Sequence, residues 1–286
     1  MLSSPQGKPL IQSLPCEELT FSIQCRGVRL QAKTILPPDT ALTGHRATLV
    51  FLHEGLGSIT QWRNFPLALV RATGLPALVY DRCGYGRSES QPQAPDPSYL
   101  EVEAFERLPE VLDACGIEAP ILVGHSDGAT IALLHAARFP QVPLGVVSEA
   151  AHVFVEEVSL QGIWRTLHEF ETTPLRERLR THHGDKVDAV FRGWSEVWLS
   201  PAFQSWTMVD LLPAIQCPVL AVQGKDDEYG TPAQVRAITQ GVTGPAQALL
   251  IPGCGHVPHF QARDQVLDGM ARFILEKILS PGRMLP

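Results

Sequence analysis

The amino-acid sequence predicts an α/β fold: a mainly parallel central sheet of about eight strands, with helices on both faces and an inserted helical lid. Three observations predict it. Short apolar runs alternate with helical patterns, which is typical of parallel sheets. An aromatic-rich segment at 152–212 interrupts this alternation and is too long for a plain loop. Residues 124–128, Gly-His-Ser-Asp-Gly, stand between a strand-like run and a helical pattern.

The strands are predicted from apolar runs bounded by turn residues. The first two cover 17–25 and 28–36, and Pro37-Pro38-Asp39 ends the second. Residues 47–52 are apolar throughout, as expected of a strand buried on both faces. The same signal recurs at 77–80, 121–123, 144–147, 219–222 and 248–251. Helical patterns separate these runs at about 60–72, 98–115, 127–139, 231–241 and 261–279.

The pattern divides the chain into a leader, a core and an insertion. Residues 1–16 are rich in Ser, Pro and Gln, and we expect a flexible leader. The α/β core should comprise 17–151 and 213–286. The insertion at 152–212 is rich in Trp and Phe, with Trp194 and Trp198 four positions apart on one helix face, and should form a helical cap. Some of these aromatic side chains should face the pocket that the cap covers.

Composition excludes several classes of protein. Of the 286 residues, 44% are hydrophobic and 19% charged, as in an ordinary globular protein. The net charge of −7 and the lack of a basic run argue against a nucleic-acid partner. No apolar stretch approaches the roughly 20 residues of a membrane-spanning helix. We therefore expect a small-molecule substrate and no membrane partner, and a homo-oligomer is compatible with this composition.

The cysteines and the N-terminus indicate the compartment. Six cysteines are scattered without a Cys-x-x-Cys pair, so neither a zinc site nor a redox motif is expected. Free thiols and the absence of a secretory signal pattern predict a cytoplasmic protein. The adjacent His182 and His183 lack matching ligands, so they do not indicate a metal site.

Ser126 is the predicted nucleophile. Small residues two positions before and after it let a strand turn sharply into a helix, which exposes the hydroxyl at the end of the sheet. A serine hydroxyl is a weak nucleophile and needs a base and a carboxylate. A loop after the strand at 219–222 offers Asp226 and Asp227, and a glycine-rich loop after 248–251 offers His256. Strand carboxyl ends gather at one edge of an open sheet, so these loops should meet.

The oxyanion hole should combine two backbone amides. One belongs to Asp127, directly after the nucleophile, and the other to the loop His-Glu-Gly-Leu-Gly that follows residue 52. Gly55 is the favoured donor and Leu56 the alternative. The Asp127 side chain is interpreted as a favourable charge in the first turn of a helix, with substrate binding as the second hypothesis.

The remaining candidate site residues are interpreted as structural. His259 is the rival of His256 as base, but the glycine before His256 favours the latter. Glu54 and Glu149 lie near strand ends and are expected to be buried or structural. His125, inside the strand-turn-helix motif, is expected to pack rather than to catalyse.

Taken together, these motifs resemble those of the α/β-hydrolase fold superfamily, from about residue 17 onward. The resemblance rests on Gly-x-Ser-x-Gly, the Gly-Lys-Asp-Asp loop, the Gly-His-Val-Pro loop and residues 81–88, Asp-Arg-Cys-Gly-Tyr-Gly-Arg-Ser. It implies a catalytic triad of Ser126, Asp227 and His256, with no cofactor or metal. It also implies a cap where the insertion lies. The serine argues against the dehalogenase and epoxide-hydrolase branches, which use an aspartate there.

The resulting hypothesis is a cofactor-independent serine hydrolase that cleaves a small, largely apolar carboxylic ester or other acyl compound through an acyl-enzyme. A first alternative is a carbon–carbon bond hydrolase acting on a vinylogous diketone, which basic residues facing the pocket would support. A second alternative is a non-catalytic ligand receptor on the same fold.

Overall fold

The computed structural model of the protein describes residues 15–38, 47–90 and 96–279. Most of the predicted leader, residues 1–14, and the last part of the predicted core, residues 280–286, lie outside the described residues. Within the described residues, no helix is long and apolar enough to cross a membrane.

An eight-stranded sheet forms the centre of the described chain, in the order β1-β2-β4-β3-β5-β6-β7-β8. Strand β2 runs antiparallel to β1 and β4, and every other neighbouring pair is parallel. The predicted fold class is therefore confirmed. The strands are β1 Glu17–Cys25, β2 Val28–Leu36, β3 Ala47–Leu52, β4 Ala77–Tyr80, β5 Ala119–His125, β6 Gly145–Glu149, β7 Val219–Gly224 and β8 Ala246–Ile251.

Helices cover the sheet and form the insertion. They are α1 Phe65–Thr73, α2 Tyr99–Val102, α3 Leu108–Ala114, α4 Asp127–Arg138, α5 Glu157–Thr172, α6 Leu175–His183, α7 Val187–Leu199, α8 Pro232–Gly241, α9 Pro258–Gln261 and α10 Arg263–Phe273. Short 3₁₀ helices occupy 59–62, 184–186 and 209–214, and π-helical turns occupy 103–107 and 274–278.

Both faces of the sheet are buried at the central strands β3 to β7, which explains their continuous apolar runs. In β3, Leu49 and Phe51 join a cluster with α1 and α10, whereas Val50 and Leu52 join the opposite cluster with α3, α4 and α8. Successive side chains of a strand point to opposite faces, so a strand covered on both sides must be apolar at every position.

Two predicted helices are irregular near prolines. The pattern at 98–115 divides into α2, a π-helical turn and α3, where Pro109 stands in the first turn. Proline has no N–H to continue the hydrogen-bond ladder, so it is tolerated where a helix begins. Pro66 likewise starts α1, which separates it from the 3₁₀ turn at 59–62.

Helices α5, α6 and α7 fill the insertion between β6 and β7. Its two ends meet in an antiparallel bridge between Phe154 and Thr207. Phe170 and Phe191 stack within it, with their ring centroids 3.8 Å apart. The chain therefore leaves and re-enters the sheet region at one place. The boundaries 152–212 of a cap subdomain stay a prediction.

Candidate active site

Ser126 lies at the sharp turn between β5 and α4. Its backbone has φ 52° and ψ −119°, an uncommon conformation for a residue other than glycine. Its amide donates to the Glu149 carbonyl over 2.8 Å. A Cβ on Gly124 would collide with the backbone of Gly128, and one on Gly128 with the carbonyl of Leu52. Only glycines let β3, β5 and α4 approach closely enough to form this turn.

His256 joins Ser126 to Asp227. Its Nε2 lies 3.0 Å from Ser126 Oγ, and its Nδ1 lies 2.9 and 3.0 Å from the Asp227 carboxylate oxygens. Each of the three residues is more than nine-tenths buried. Because a carboxylate only accepts hydrogen bonds, Nδ1 carries the proton and Nε2 can accept one from the serine. The loops after β5, β7 and β8 thus bring the predicted triad residues together.

Asp227, and not Asp226, contacts the histidine. Its carboxylate accepts from the Tyr229 amide over 2.8 Å and from Gln223 Nε2 over 3.2 Å. Burial alone would raise the pKa of Asp227, but the His256 ring and these donors outweigh it and lower that pKa. Asp226 is exposed, and its amide donates to the Cys254 carbonyl.

The contact between Asp227 and His256 shifts the pKa of the histidine in the opposite direction. Burial disfavours the protonated ring, but the adjacent Asp227 carboxylate outweighs burial and raises the pKa of His256 above its ordinary value. The ring therefore binds a proton more readily than a histidine in water, as a general base must.

Two other histidines support this arrangement without joining it. His125 Nε2 lies 2.8 Å from the His256 carbonyl oxygen and donates to it, which fixes the loop after β8. His259 forms a buried pair with Glu149, its Nδ1 lying 3.0 Å from both carboxylate oxygens. The structural roles expected of His125 and Glu149 agree with these contacts, and His259 lies against a different carboxylate from His256.

The loop after β3 is fixed through one carbonyl group. The carbonyl oxygen of Glu54 accepts from Arg82 Nη2 over 2.8 Å, from Gly57 N over 3.1 Å and from His53 Nδ1 over 2.8 Å. His53 Nε2 accepts from the Arg82 amide over 3.0 Å, so its proton is on Nδ1. In a trans peptide the next N–H points the opposite way, so the Gly55 amide faces away from these donors.

Gly55 also lies where no side chain would fit. A Cβ at this position would collide with the indole ring of Trp194 on α7 and would lie 3.1 Å from Asp127 Oδ2. The Asp127 amide, at the first position of α4, is among the N–H groups that a helix leaves without an internal partner. Both predicted oxyanion donors thus belong to residues that line one cavity with Ser126.

Asp127 belongs to a buried network that the sequence did not reveal. Its Oδ2 accepts from the Tyr99 hydroxyl over 2.7 Å, and the Tyr99 oxygen accepts from Trp198 Nε1 over 2.8 Å. Arg82 Nη2 lies 3.8 Å from the same carboxylate oxygen, with both side chains about 1% exposed. Asp127 does lie in the first turn of α4, but its side chain also links α4 through Tyr99 to α7 of the insertion.

A cavity of about 190 Å³ opens over Ser126. Helices α5 and α7 contribute Ser159, Ile163, Trp194 and Trp198 to its wall. The core contributes Glu54, Leu56, His152, Glu228, Tyr229 and Val257 beside the residues already described. Two of the predicted cap aromatics therefore face the pocket. Within the described residues, no lysine or arginine lines it.

Two residues at or near the site, His152 and Arg82, could have been identified from their positions in the sequence. His152 follows β6 by three positions, which is the kind of place where functional groups gather in a parallel sheet. Arg82 lies inside the motif at 81–88 that the resemblance singled out. Tyr99 had no such signal, because it lies at the start of a short helix, far from any strand end.

His182 and His183, which are not expected to bind a metal, both have hydrogen-bond partners. His182 Nδ1 lies 2.7 Å from Thr60 Oγ1, and His183 accepts from the Gly86 amide over 3.0 Å and donates to the Leu56 carbonyl over 2.9 Å. His183 thereby ties α6 to two core loops. Within the described residues, no group of three His, Cys, Asp or Glu side chains could hold a metal ion.

The chain is similar to known hydrolases. The model of the Alpha/beta hydrolase family matches residues 49–268. The sn-1-specific diacylglycerol lipase ABHD11 of Mus musculus is 38% identical over 111 residues, 37% of this chain and 34% of the lipase. The matched segment thus spans about a third of that relative's length.

Two further proteins match over most of their length. Proline iminopeptidase of Saccharolobus solfataricus is 21% identical over 81% of this chain and 86% of its own. The 2-hydroxy-6-oxo-6-phenylhexa-2,4-dienoate hydrolase of Rhodococcus sp. strain RHA1 superposes with a TM-score of 0.77, at 17% identity, over 93% of this chain and 100% of its own. At that identity the likeness concerns the fold alone.

Proposed function

The chain belongs to the alpha/beta hydrolase family, and on that premise we propose that it is a cofactor-independent serine hydrolase that cleaves a carboxylic ester or related acyl compound. The observation that carries the proposal is the chain of hydrogen bonds from Asp227 through His256 to Ser126, with separations of 2.9 and 3.0 Å. A serine, a base and an orienting carboxylate within hydrogen-bond reach form the arrangement that acyl transfer requires.

In the proposed mechanism Ser126 Oγ attacks the substrate carbonyl while His256 Nε2 takes its proton. Asp227 keeps His256 in the required tautomer and stabilises the imidazolium that forms. The amides of Gly55 and Asp127 bind the oxyanion. His256 then protonates the leaving alcohol, and an activated water hydrolyses the acyl-enzyme by the same route in reverse order.

The oxyanion assignment is supported by the orientation of one peptide group. Three donors hold the carbonyl of Glu54, so the following N–H of Gly55 is directed away from them. The collision that a Gly55 side chain would make with Trp194 shows that a glycine is needed for the loop to pack against α7 in this position. For Leu56 we find no comparable argument, although it lines the same cavity.

The cavity wall favours an ester over the carbon–carbon bond alternative. A ring-cleavage product of the diketone type carries a carboxylate, which would need a basic partner. Within the described residues the wall holds carboxylates and no lysine or arginine. Its apolar part, from Ile163, Trp194 and Trp198, suits a small, largely apolar acyl or alcohol group.

We also propose that residues 152–212 form a cap subdomain and that the protein works in the cytoplasm on a small-molecule substrate. The bridge at the base of the insertion and the cap residues in the cavity wall support the first proposal. Cys16, Cys25, Cys83, Cys115 and Cys254 are free thiols, which supports a reducing compartment.

Hydrolysis of p-nitrophenyl butyrate tests the proposed function. The Ser126→Ala variant should lose at least about 10⁴-fold in kcat/KM, because the nucleophile is removed while the fold stays. Ser98→Ala, at an exposed position away from the cavity, is the matched control and should keep full activity. Unchanged hydrolysis by Ser126→Ala would refute the mechanism.

A fluorophosphonate probe separates the enzyme from a ligand receptor. Mass spectrometry should find the probe on Ser126 of the native protein and not on heat-denatured protein, because His256 activates the serine only in the folded state. Absence of labelling under native conditions would favour the receptor. A vinylogous diketone hydrolysed in strong preference to the ester would favour carbon–carbon bond cleavage.

A further inference from the structure

The carboxylate of Glu54 has no partner of its own. Its backbone carbonyl is held by three donors, but within the described residues its side chain makes no hydrogen bond or ion pair. It lines the cavity beside Ser126. Burial raises the pKa of Glu54 above its ordinary value. A carboxylate that serves only the fold would be expected to find donors, because leaving it unpaired in a partly buried place costs free energy.

Two more deeply buried acceptor atoms of the same wall also lack a hydrogen-bond donor. Asp127 Oδ1 and His152 Nδ1 are buried, and neither has a hydrogen-bond partner within the described residues. Their residues are 1% and 4% exposed. His152 Nε2 lies 3.0 Å from the Tyr229 carbonyl and must donate to it, so Nδ1 of the neutral ring can only accept. Burial lowers the pKa of His152, which keeps the ring neutral.

Among the buried side-chain atoms of the described cavity wall, those without a partner are therefore acceptors, and the free donors are the backbone N–H groups assigned to the oxyanion. Glu228 adds a carboxylate at the exposed side of the cavity, where its Oε2 accepts from the His256 amide over 3.1 Å. The nearest cation, Arg82, is directed at the Glu54 carbonyl, the Asp127 carboxylate and the Tyr85 ring. Arg82 is not part of the cavity wall. Burial raises the pKa of Glu54 more than the charges of His256, His259 and Arg82 lower it, so the carboxylate still lacks a sufficient positive partner.

The apolar part of the wall suits the same kind of ligand. Trp194, Trp198 and Tyr229 present aromatic rings, whose faces attract cations. The wall thus combines side-chain acceptors that lack donors, carboxylates with no lysine or arginine beside them in the described wall, and aromatic rings. These features suit an ammonium group with a compact apolar body.

We propose that the substrate carries a protonated amine and that Glu54 is the residue that selects it. This proposal rests on the serine hydrolase activity proposed above and adds the chemical class of its substrate. Glu54 acts as a specificity-determining residue: it binds the ammonium group next to the carbonyl that Ser126 attacks. The ammonium in turn supplies the hydrogen bonds that the carboxylate lacks and holds it ionised.

Two pairs of isosteric substrates test this, because the amine could lie on either side of the scissile bond. Alanine benzyl ester and benzyl 2-methylpropanoate differ by an ammonium or methyl group on the acyl side. 2-(Dimethylamino)ethyl acetate, which carries one N–H when protonated at pH 7, and 3-methylbutyl acetate differ by a cationic or neutral leaving group. The measured quantity is the ratio of kcat/KM for the cationic member to that for the neutral member at pH 7.

For the wild type we expect a ratio of about 10 or more in at least one pair, since hydrogen bonds to charged groups are the strong ones. Glu54→Gln keeps the shape and removes the charge, and should lower that ratio about 10- to 100-fold. Asp226→Asn removes one negative charge from an exposed residue of the β7 loop outside the cavity wall, and should leave the ratio within about twofold. If Glu54→Gln does not fold, Glu54→Asp draws the carboxylate back by one methylene and should also lower the ratio.

Binding to the Ser126→Ala protein separates this proposal from the proposed function. Titration calorimetry with benzylamine and benzyl alcohol should detect a preference for the amine that Ser126→Ala/Glu54→Gln loses. Ser126-dependent hydrolysis without preference for either cationic substrate would overturn the amine proposal and leave the hydrolase standing. Amine-selective, Glu54-dependent binding without any hydrolysis would support the amine site and overturn the hydrolase. An equal fall of the ratio in Asp226→Asn would overturn the role of Glu54.

Discussion

At the scale of single residues, His256 has its tautomer fixed by its neighbours. Asp227 receives Nδ1–H, and the Tyr229 amide and Gln223 in turn hold Asp227 in place. The histidine backbone is held as well, by His125 on its carbonyl and Glu228 on its amide. Ring and backbone are thus both positioned before substrate arrives, which is the preorganisation that acyl transfer depends on.

The pH dependence of activity follows from this contact. Asp227 raises the pKa of His256, and the base must be neutral to accept the serine proton, so kcat/KM should rise through an acid limb displaced above pH 6.5. Asp227→Asn should move that limb to lower pH and reduce the plateau about 10⁴-fold, because the wrong tautomer becomes accessible. A pH profile of p-nitrophenyl butyrate hydrolysis measures both effects.

The control for this experiment is Asp226→Asn, which removes a neighbouring charge without touching His256. Its acid limb and plateau should match those of the wild type. A large loss in Asp226→Asn and none in Asp227→Asn would reverse the assignment of the acid.

At the scale of secondary-structure elements, two tryptophans connect the insertion to the core in similar ways. Trp198, on α7, donates to the Tyr99 hydroxyl over 2.8 Å, and Trp206, beyond α7, donates to Glu101 over 2.8 Å. Both acceptors belong to α2. Only the bond from Trp198 continues through Tyr99 to Asp127, which is adjacent to Ser126. Comparing the two tryptophans therefore distinguishes the attachment of the insertion from its effect on the site.

Replacing each tryptophan by phenylalanine tests that separation. Trp198→Phe and Trp206→Phe should each lower the free energy of unfolding by about 1 kcal/mol, since each removes one hydrogen bond, which is buried at Trp198 and partly buried at Trp206. Only Trp198→Phe should also lower kcat/KM, because Tyr99 then loses the donor that orients it towards Asp127. Urea unfolding and ester hydrolysis measure the two effects. An equal loss of activity in Trp206→Phe would show that the cap acts on the site by its position alone.

At the scale of the whole molecule, several buried histidines make the fold sensitive to acid. Burial lowers the pKa of His125 to about 3 and that of His183 to about 4. Between those values and the ordinary 6.5 the unfolded chain binds protons that the folded chain refuses, so stability falls as pH falls. His256 opposes this, because its raised pKa stabilises the folded state below 6.5 and that contribution is lost as pH rises.

We expect the free energy of unfolding to drop between pH 7.5 and pH 5, with about 2 kcal/mol from each of His125 and His183. Urea unfolding at the two pH values measures the drop. His183→Gln should reduce it by about 2 kcal/mol, although the variant is less stable at neutral pH, because the amide carries no titratable group. His168→Gln, at an exposed position, should leave the drop unchanged. A pH-independent stability of the wild type would contradict this account.

The sequence predicted those features that depend on local pattern. The strands of the described chain were found, the central ones because two covered faces require an unbroken apolar run, as in β3. The loops bearing Ser126, Asp227 and His256 followed from their places after strands. The helix at 98–115 was also found, but its π-helical turn at 103–107 was not, because helical periodicity continues across Pro109 although that residue has no N–H to donate.

What the sequence could not predict depends on contacts between distant segments. Glu54 looked like one more carboxylate near a strand end, and only the packing shows that its carbonyl is held while its side chain is not. The network from Trp198 through Tyr99 to Asp127 joins residues from α7, α2 and α4. No spacing along the chain encodes such a meeting, because each member comes from a different element.

The hydrogen bond between Ser126 and His256 also bears on how the chain folds. The two residues are 130 positions apart, and β6, the insertion and β7 must all be in place before β8 can present the histidine. Contacts of such long sequence separation form slowly, because the loop they close must be ordered first. A partly folded chain with a complete first half would carry the serine without its base. Recovery of ester hydrolysis after dilution from denaturant would therefore time the docking of the last strand, later than signals from helices or from the collapsed core.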